Sequence, residues 1–354
     1  MKYFAKIDSL RFAAALMVLI SHWLYYFPAV RILNLGEMGV DLFFTISGFL
    51  ITLQLLNFKT KADENNLSNG SVFKEFYLRR VFRIFPLYYL IVIVSAVANQ
   101  GEIRDALPYN LCFVSNFYII QVQHWPGLFS HFWSLSVEEN FYLLWPLLVV
   151  FINNKFLPYI TLSLIAFTFF IKLYLVGDSS GYFFLHVHTI SCIDLIMYGC
   201  LLAWLYKNHF EKIKDILQFE GFALLSVASV IAAIVYKYYF KLSLEDYVIL
   251  RSLTGIAFTF LVGSLVFSRI PKKWSILENK WLVIAGRLSF GIYLLHNFIP
   301  GLLLGIKDLK LNWSLEFLCY LTVTILISAI LHWGVELPIK RLGKRRFGSV
   351  LLKD

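Results

Sequence analysis

Residues 8–28 read DSLRFAAALMVLISHWLYYFP, an apolar run interrupted only by Asp8 and Arg11 at its start and His22 near its end. A bilayer core takes roughly 20 apolar residues per helix, so this stretch is long enough to cross one. It exceeds the apolar region of a secretory signal and lacks a small-residue cleavage site, so it is expected to stay in the mature protein. Segments of similar character recur at 38–58, 81–98, 138–153, 156–176, 189–206, 219–237, 247–268, 284–305 and 314–336. The expected fold is therefore all-α, a polytopic transmembrane helix bundle of about ten spans.

Composition points the same way. Of 354 residues, 59% are hydrophobic, 18% aromatic and only 15% charged, with a mean hydropathy of +0.70, which excludes an ordinary soluble domain. No Pro/Gly/Ser-rich linker or charged block divides the chain, so residues 1–341 read as one transmembrane domain and 342–354 as a short basic cytoplasmic tail. Cys112, Cys192, Cys200 and Cys319 have apolar neighbours and no metal-ligand spacing, so they read as buried thiols and no metal is expected.

The net charge of +10 would suggest a nucleic-acid partner in a soluble protein, but here it follows from orientation. With the N-terminus in the cytoplasm, 23 of the 32 lysines and arginines fall on that side against 6 on the other. Both termini are then cytoplasmic, and nucleic acid is not expected. The longest outer segment, Asn99 to Val137, carries an apolar stretch at Leu107 to Ile120 that reads as a re-entrant or surface helix.

Ionisable groups inside spans are costly to bury and mark function first. Arg11 and His22 are eleven residues apart, about three turns, which sets them within about 20° of each other and roughly 16 Å apart along one helix face. Arg11 then lies toward the cytoplasm and His22 toward the outer leaflet; pairing of Arg11 with Asp8 and an interfacial histidine beside Trp23 are the plain alternatives. Asp41 opens the second span from outside, at a depth similar to His22. A carboxylate there suits a general base, because it fixes the imidazole tautomer and stabilises its cation. Ser47-Gly48 fits close helix packing.

Ser136 and Glu139 have the S-x-x-E spacing of a capping box before the fourth span, which leaves Glu138 as the cavity-facing acid. Arg79, Arg80 and Arg83 open the third span on the cytoplasmic side, where guanidinium groups at a helix N-terminus suit phosphate as well as membrane anchoring. His296 is a second histidine in an outer half-span. Glu336, near the inner end of the last span, has Lys340 and Arg341 as expected partners. His186-x-His188 without further ligands is no metal motif.

Taken together, these motifs resemble the acyltransferase-3 family of bacterial membrane acyltransferases. The likeness rests on Arg11 to His22, Gly39-Val40-Asp41-Leu42-Phe43-Phe44 with Ser47-Gly48-Phe49-Leu50, and Arg80-x-x-Arg83 followed by Pro86. It continues through Trp133-Ser134-Leu135-Ser136-Val137-Glu138-Glu139 to Pro146, Ser289 to His296, and Glu336-x-Pro338, in the family's order from residue 8 to about 341. Asn140 stands where the family usually has glutamine, and Asn297-Phe298 where aromatics are expected; the second departure bears on the acceptor or acyl pocket. No fused extracytoplasmic esterase-like domain is expected.

The resemblance implies transfer of an acyl group, most often acetyl, from cytoplasmic acyl-CoA to a hydroxyl of a lipid-linked or extracytoplasmic carbohydrate, in the bacterial cytoplasmic membrane and in contact with its lipid. On that basis Arg79, Arg80 and Arg83 hold the phosphates of CoA and the pantetheine arm passes Arg11. His22 deprotonates the acceptor or carries the acyl group, Asp41 orients His22, and Ser136, Glu138, Glu139 and His296 position the acceptor. A transporter or flippase for a glycan or related small molecule is the other class that buried charge suits; such folds use inverted repeats with broken helices, and no internal repeat is found.

Overall fold

The computed structural model describes residues 3–99, 101–176, 181–217, 220–240, 243–267, 272–303 and 312–348, and every regular element among them is helical. The principal helices are α1 Ala5–Trp23, α2 Leu35–Glu64, α3 Asn69–Val97, α4 Phe132–Phe151, α5 Leu157–Leu175 and α6 Thr189–Asn208. They continue with α7 Glu220–Tyr239, α8 Leu244–Phe267, α9 Lys280–Arg287, α10 Ser289–Leu295, α11 Trp313–Leu331 and α12 Leu337–Phe347.

Among the described residues six helical stretches are long and apolar enough to cross a membrane: Pro28–Glu64, Asn69–Val97, Leu157–Leu175, Gly181–Asn208, Leu244–Phe267 and Trp313–Phe347. Phe210–Leu217 with Gly221–Lys237, bent by 63°, adds a seventh if counted as one span. The tail beyond Gly348, the basic residues Lys2 and Lys353, and the ends of the spans expected at 219–237, 247–268 and 284–305 lie outside the described residues.

Two expectations are corrected, and a third is refined. The ninth span is not continuous: α9 and α10 are followed by a turn at 296–298 and a short helix Ile299–Leu302. Pro300 explains the break, because it has no N–H for the His296 carbonyl and its ring collides with that carbonyl. The fourth helix begins at Phe132, so Ser136 sits inside it and caps nothing. The Ser136 hydroxyl instead accepts the Ser115 N–H at 3.1 Å and meets the Ser115 hydroxyl at 2.8 Å. The outer apolar stretch forms two helices, Leu107–Leu111 and Ser115–Val122, both too short to span. The first is tied to α3, where Tyr88 and Tyr89 donate to the carbonyls of Asn110 and Leu111 at 2.9 and 2.8 Å.

The chain divides into two compact units, residues 1–56 with 140–287 and residues 57–139 with 288–354. In the first, α5 packs on α6, α6 and α7 on α8, and α1 on α9. α2 approaches α6 very closely. A Cβ built on Gly48 falls 2.0 Å from the Ile196 carbonyl oxygen, and one built on Gly199 falls 2.0 Å from that of Thr45. The two backbones touch, as Ser47-Gly48 led us to expect, and only glycine permits it. Gly48→Val is expected to destabilise the fold by at least about 1–3 kcal/mol through overpacking. A thermal melt in detergent checks this, and an unchanged midpoint would show that the contact does not exist in the folded protein.

In the second unit α10 packs on α11, and α3 on α12. Phe82 of α3 lies flat against Gly343 of α12, leaving no room for a side chain there.

Candidate active site

The first unit holds Arg11, His22 and Asp41. Arg11 lies 3.9 Å from Asp8, which also accepts the Tyr3 hydroxyl at 2.6 Å and faces Arg287 at 3.8 Å. The expected i,i+3 pairing therefore forms, within a wider cluster at the start of α1. His22 is exposed in the last turn of α1 and lies beside the first turn of α2, where a Cβ on Gly36 would come 3.9 Å from its Cδ2. Asp41 is five residues further along α2, about 7 Å deeper by helix rise.

Asp41 is buried, and the ion partner the structure gives it is Arg251 of α8. Arg251 Nη2 donates to Asp41 Oδ1 at 2.8 Å, and its Nε reaches both carboxylate oxygens at 3.2 Å. The remaining Nη1 donates to the Leu185 carbonyl at 3.2 Å and the Tyr247 hydroxyl at 3.1 Å. Tyr247 donates in turn to Glu37, which lies 3.7 Å from Arg251 and 4.0 Å from both Lys237 and His186. Glu37 and Asp41 are one turn apart on α2, and Tyr247 and Arg251 one turn apart on α8, so an acidic stripe meets a donor stripe. Buried charge survives only with such partners.

A second buried pair joins α5 to α6. Lys172 Nζ bonds Asp194 Oδ2 at 2.5 Å, and both side chains are fully shielded from solvent. Asp194 Oδ1 has no hydrogen-bond partner among the described residues.

The second unit sets His296, and Glu138 at longer range, beside His131 and Tyr293, while Ser136 bonds Ser115 and Glu139 faces Arg80. His296 Nδ1 donates to the Tyr293 carbonyl at 2.5 Å, leaving Nε2 as its basic nitrogen. Its ring meets that of His131 edge to face at 4.7 Å. The Asn297 amide approaches His131 Nδ1 at 3.0 Å, while His131 Nε2 approaches the Leu294 carbonyl at 3.2 Å. A donating amide and an accepting carbonyl assign the Nε2–H tautomer to His131. Tyr293 completes the group: its hydroxyl is 2.6 Å from Ser134 Oγ and 3.1 Å from the His131 carbonyl, and it is close enough to feel the charge of Glu138. The partners of His131 come from 163 and more residues away in sequence.

The three arginines of α3 do not act alike. Arg79 is held by Glu75 at 2.5 Å, with its guanidinium over Phe58. Arg80 stacks over Phe76 at 5.7 Å and interacts electrostatically with Glu139. Arg83 is half-buried. Lys340 is near enough to interact with the charges of all three. The ion partner of Glu336 is His332, at 2.7 Å inside the π turn His332–Glu336, rather than Arg341. Pro338 accounts for the irregular turn, since it lacks an N–H for the preceding helical carbonyls. All four cysteines are free thiols, but only Cys192 and Cys200 are buried, Cys112 being exposed and Cys319 half-buried; Asn140 donates to the Thr189 hydroxyl at 3.0 Å.

Buried acids, shielded imidazoles and a basic helix start are thus set in a helical membrane protein. The chain belongs to the acyltransferase-3 family, matching its acyltransferase domain over residues 4–333, and is a multi-pass integral membrane protein. It is 27% identical over 370 residues to the peptidoglycan O-acetyltransferase OatA of Listeria monocytogenes, covering 97% of this chain and 56% of that protein. It is also 27% identical over 383 residues to the O-acetyltransferase OatA of Staphylococcus aureus, covering 98% of this chain and 58% of that protein. The chain thus spans little more than half the length of these relatives. No solved structure matches it.

Proposed function

We propose that the protein is a membrane O-acetyltransferase that moves an acetyl group from cytoplasmic acetyl-CoA to a hydroxyl of a cell-wall or other extracytoplasmic glycan in the bacterial cytoplasmic membrane. The observation that carries this is the family match over residues 4–333, which contains Arg11, His22, Asp41, Arg79, Arg80, Arg83, Ser136, Glu138, Glu139 and His296. The relatives' printed activities point to acetyl and to peptidoglycan.

In this mechanism His22 takes the proton of the acceptor hydroxyl, the oxygen attacks the thioester carbonyl, and the CoA thiolate leaves. Asp41, neutralised by Arg251, anchors the polar cluster inward of His22. Ser136, Glu138, Glu139 and His296 are assigned to positioning the acceptor, Arg79, Arg80 and Arg83 to attracting the donor's phosphates, and Arg11 to flanking its arm.

Ten crossings with both termini in the cytoplasm fit contacts inside the first unit. Glu37, His186 and Lys237 come from chain segments assigned to the outer side, and they meet around Arg251 at the outer start of its span. Tyr3, Asp8 and Arg287 come from segments assigned to the inner side, and they meet as well. The test is the O-acetyl content of cell-wall glycan, read by NMR with and without the gene. Loss of O-acetyl signal on deletion is expected, and an unaltered glycan would overturn the acceptor class.

A further inference from the structure

The last helix carries charges that the proposed chemistry leaves unused. Between the cytoplasmic end of α3 and α12 lies a cavity of about 250 Å³ lined in part by Arg79, Phe82, Lys340, Arg341, Lys344 and Phe347. Its one acid, Glu75, is occupied by Arg79. Among the described residues no acid lies within ion-pair distance of Lys340, Arg341 or Lys344; Glu336 acts on Lys340 only from further off and is itself bonded to His332, so three cations within about one turn of α12 line the cavity with little counter-charge. Like charges crowded together repel, and such a cluster becomes favourable when an anion fills it. Phosphate is the anion suited to several convergent ammonium and guanidinium donors.

The cavity is also aromatic. Phe82 and Phe347 stand 5.7 Å apart between ring centroids and tilted by 37°, and Phe82 is locked in place against Gly343. A flat heterocycle stacks on such rings, whereas a lipid headgroup offers nothing to stack. The two features belong together in one ligand class.

We infer that this cavity binds the phosphorylated adenosine end of the acyl-CoA donor, with Lys340, Arg341 and Lys344 on its phosphates and Phe347 against its base. The inference rests on the donor proposed above and adds the site that holds its nucleotide. Arg79 forms the α3 side of the wall, which extends the basic region from the helix start identified in the sequence to a helix over 250 residues later.

The experiment uses the purified full chain in nanodiscs of neutral phosphatidylcholine. Adenosine 3′,5′-bisphosphate is the binding probe, and acetyl-CoA and acetyl-pantetheine, which lacks the nucleotide, are the paired donors. The Lys340→Gln/Lys344→Gln double variant is expected to weaken bisphosphate binding about tenfold or more, and to raise KM for acetyl-CoA in step while leaving KM for acetyl-pantetheine unchanged. Phe347→Ala is expected to weaken binding too, and Lys344→Arg to retain it, which separates loss of the site from loss of the fold. Unchanged bisphosphate binding and acetyl-CoA KM in the double variant overturn the site but leave the donor intact. A wild-type chain that binds no bisphosphate and transfers from a donor without a nucleotide overturns both. Activity that follows added phosphatidylglycerol through these lysines, with bisphosphate binding unmoved, assigns the cavity to lipid headgroups and overturns the inference.

Discussion

His22→Ala is expected to lower transfer of labelled acetyl from acetyl-CoA by about 10²–10⁴-fold, the usual contribution of a general base, with normal insertion into the membrane. The two halves of that statement have separate physical grounds. His22 is exposed at the end of α1, and substitution of exposed side chains commonly changes stability by no more than about 0.5 kcal/mol. Activity and fold should therefore part company at this position. An inserted His22→Ala protein with full activity removes the central assignment.

The second large effect falls on stability and is silent on chemistry. Lys172→Met is expected to cost about 3–5 kcal/mol, because it strands a carboxylate that is fully shielded from solvent. Asp194 is poorly placed to compensate, since Oδ1 already has no hydrogen-bond partner among the described residues. Lys172→Met/Asp194→Leu should recover most of the loss, because a matched apolar pair pays no desolvation. Thermal melts of the two single variants and the double variant in one detergent give the coupling directly. Additive losses would mean that the two side chains do not act as a pair.

Much of this architecture can be read from the chain alone. Apolar length and charge asymmetry are properties of local sequence, and a helix overlaps every segment they picked out. The failures have local causes as well: Pro300 interrupts the ninth segment, and α4 starts several residues ahead of its apolar core, which turned a capping pattern into helix interior. What sequence could not supply is pairing at long range. Arg251 lies 210 residues from Asp41, and His131 finds Leu294 and Asn297 only after folding. No periodicity encodes such meetings. A basic residue at i,i+4 from a tyrosine at a span's start was the one available hint for Arg251. The role offered for Lys340 and Lys344 was likewise masked, since positive charge at the end of a membrane helix already has a sufficient explanation in membrane orientation.

The π turn at His332–Glu336 gives the final helix an unusual sensitivity to length. Such a turn accommodates one residue more than an α-helical turn, and one residue is about 100° of azimuth. The compass bearing of Lys340, Arg341 and Lys344 is thus set by a single surplus residue upstream. Relatives that drop or gain one there would point the same basic letters at bilayer or solvent, so sequence identity in this helix does not by itself imply the same ligand.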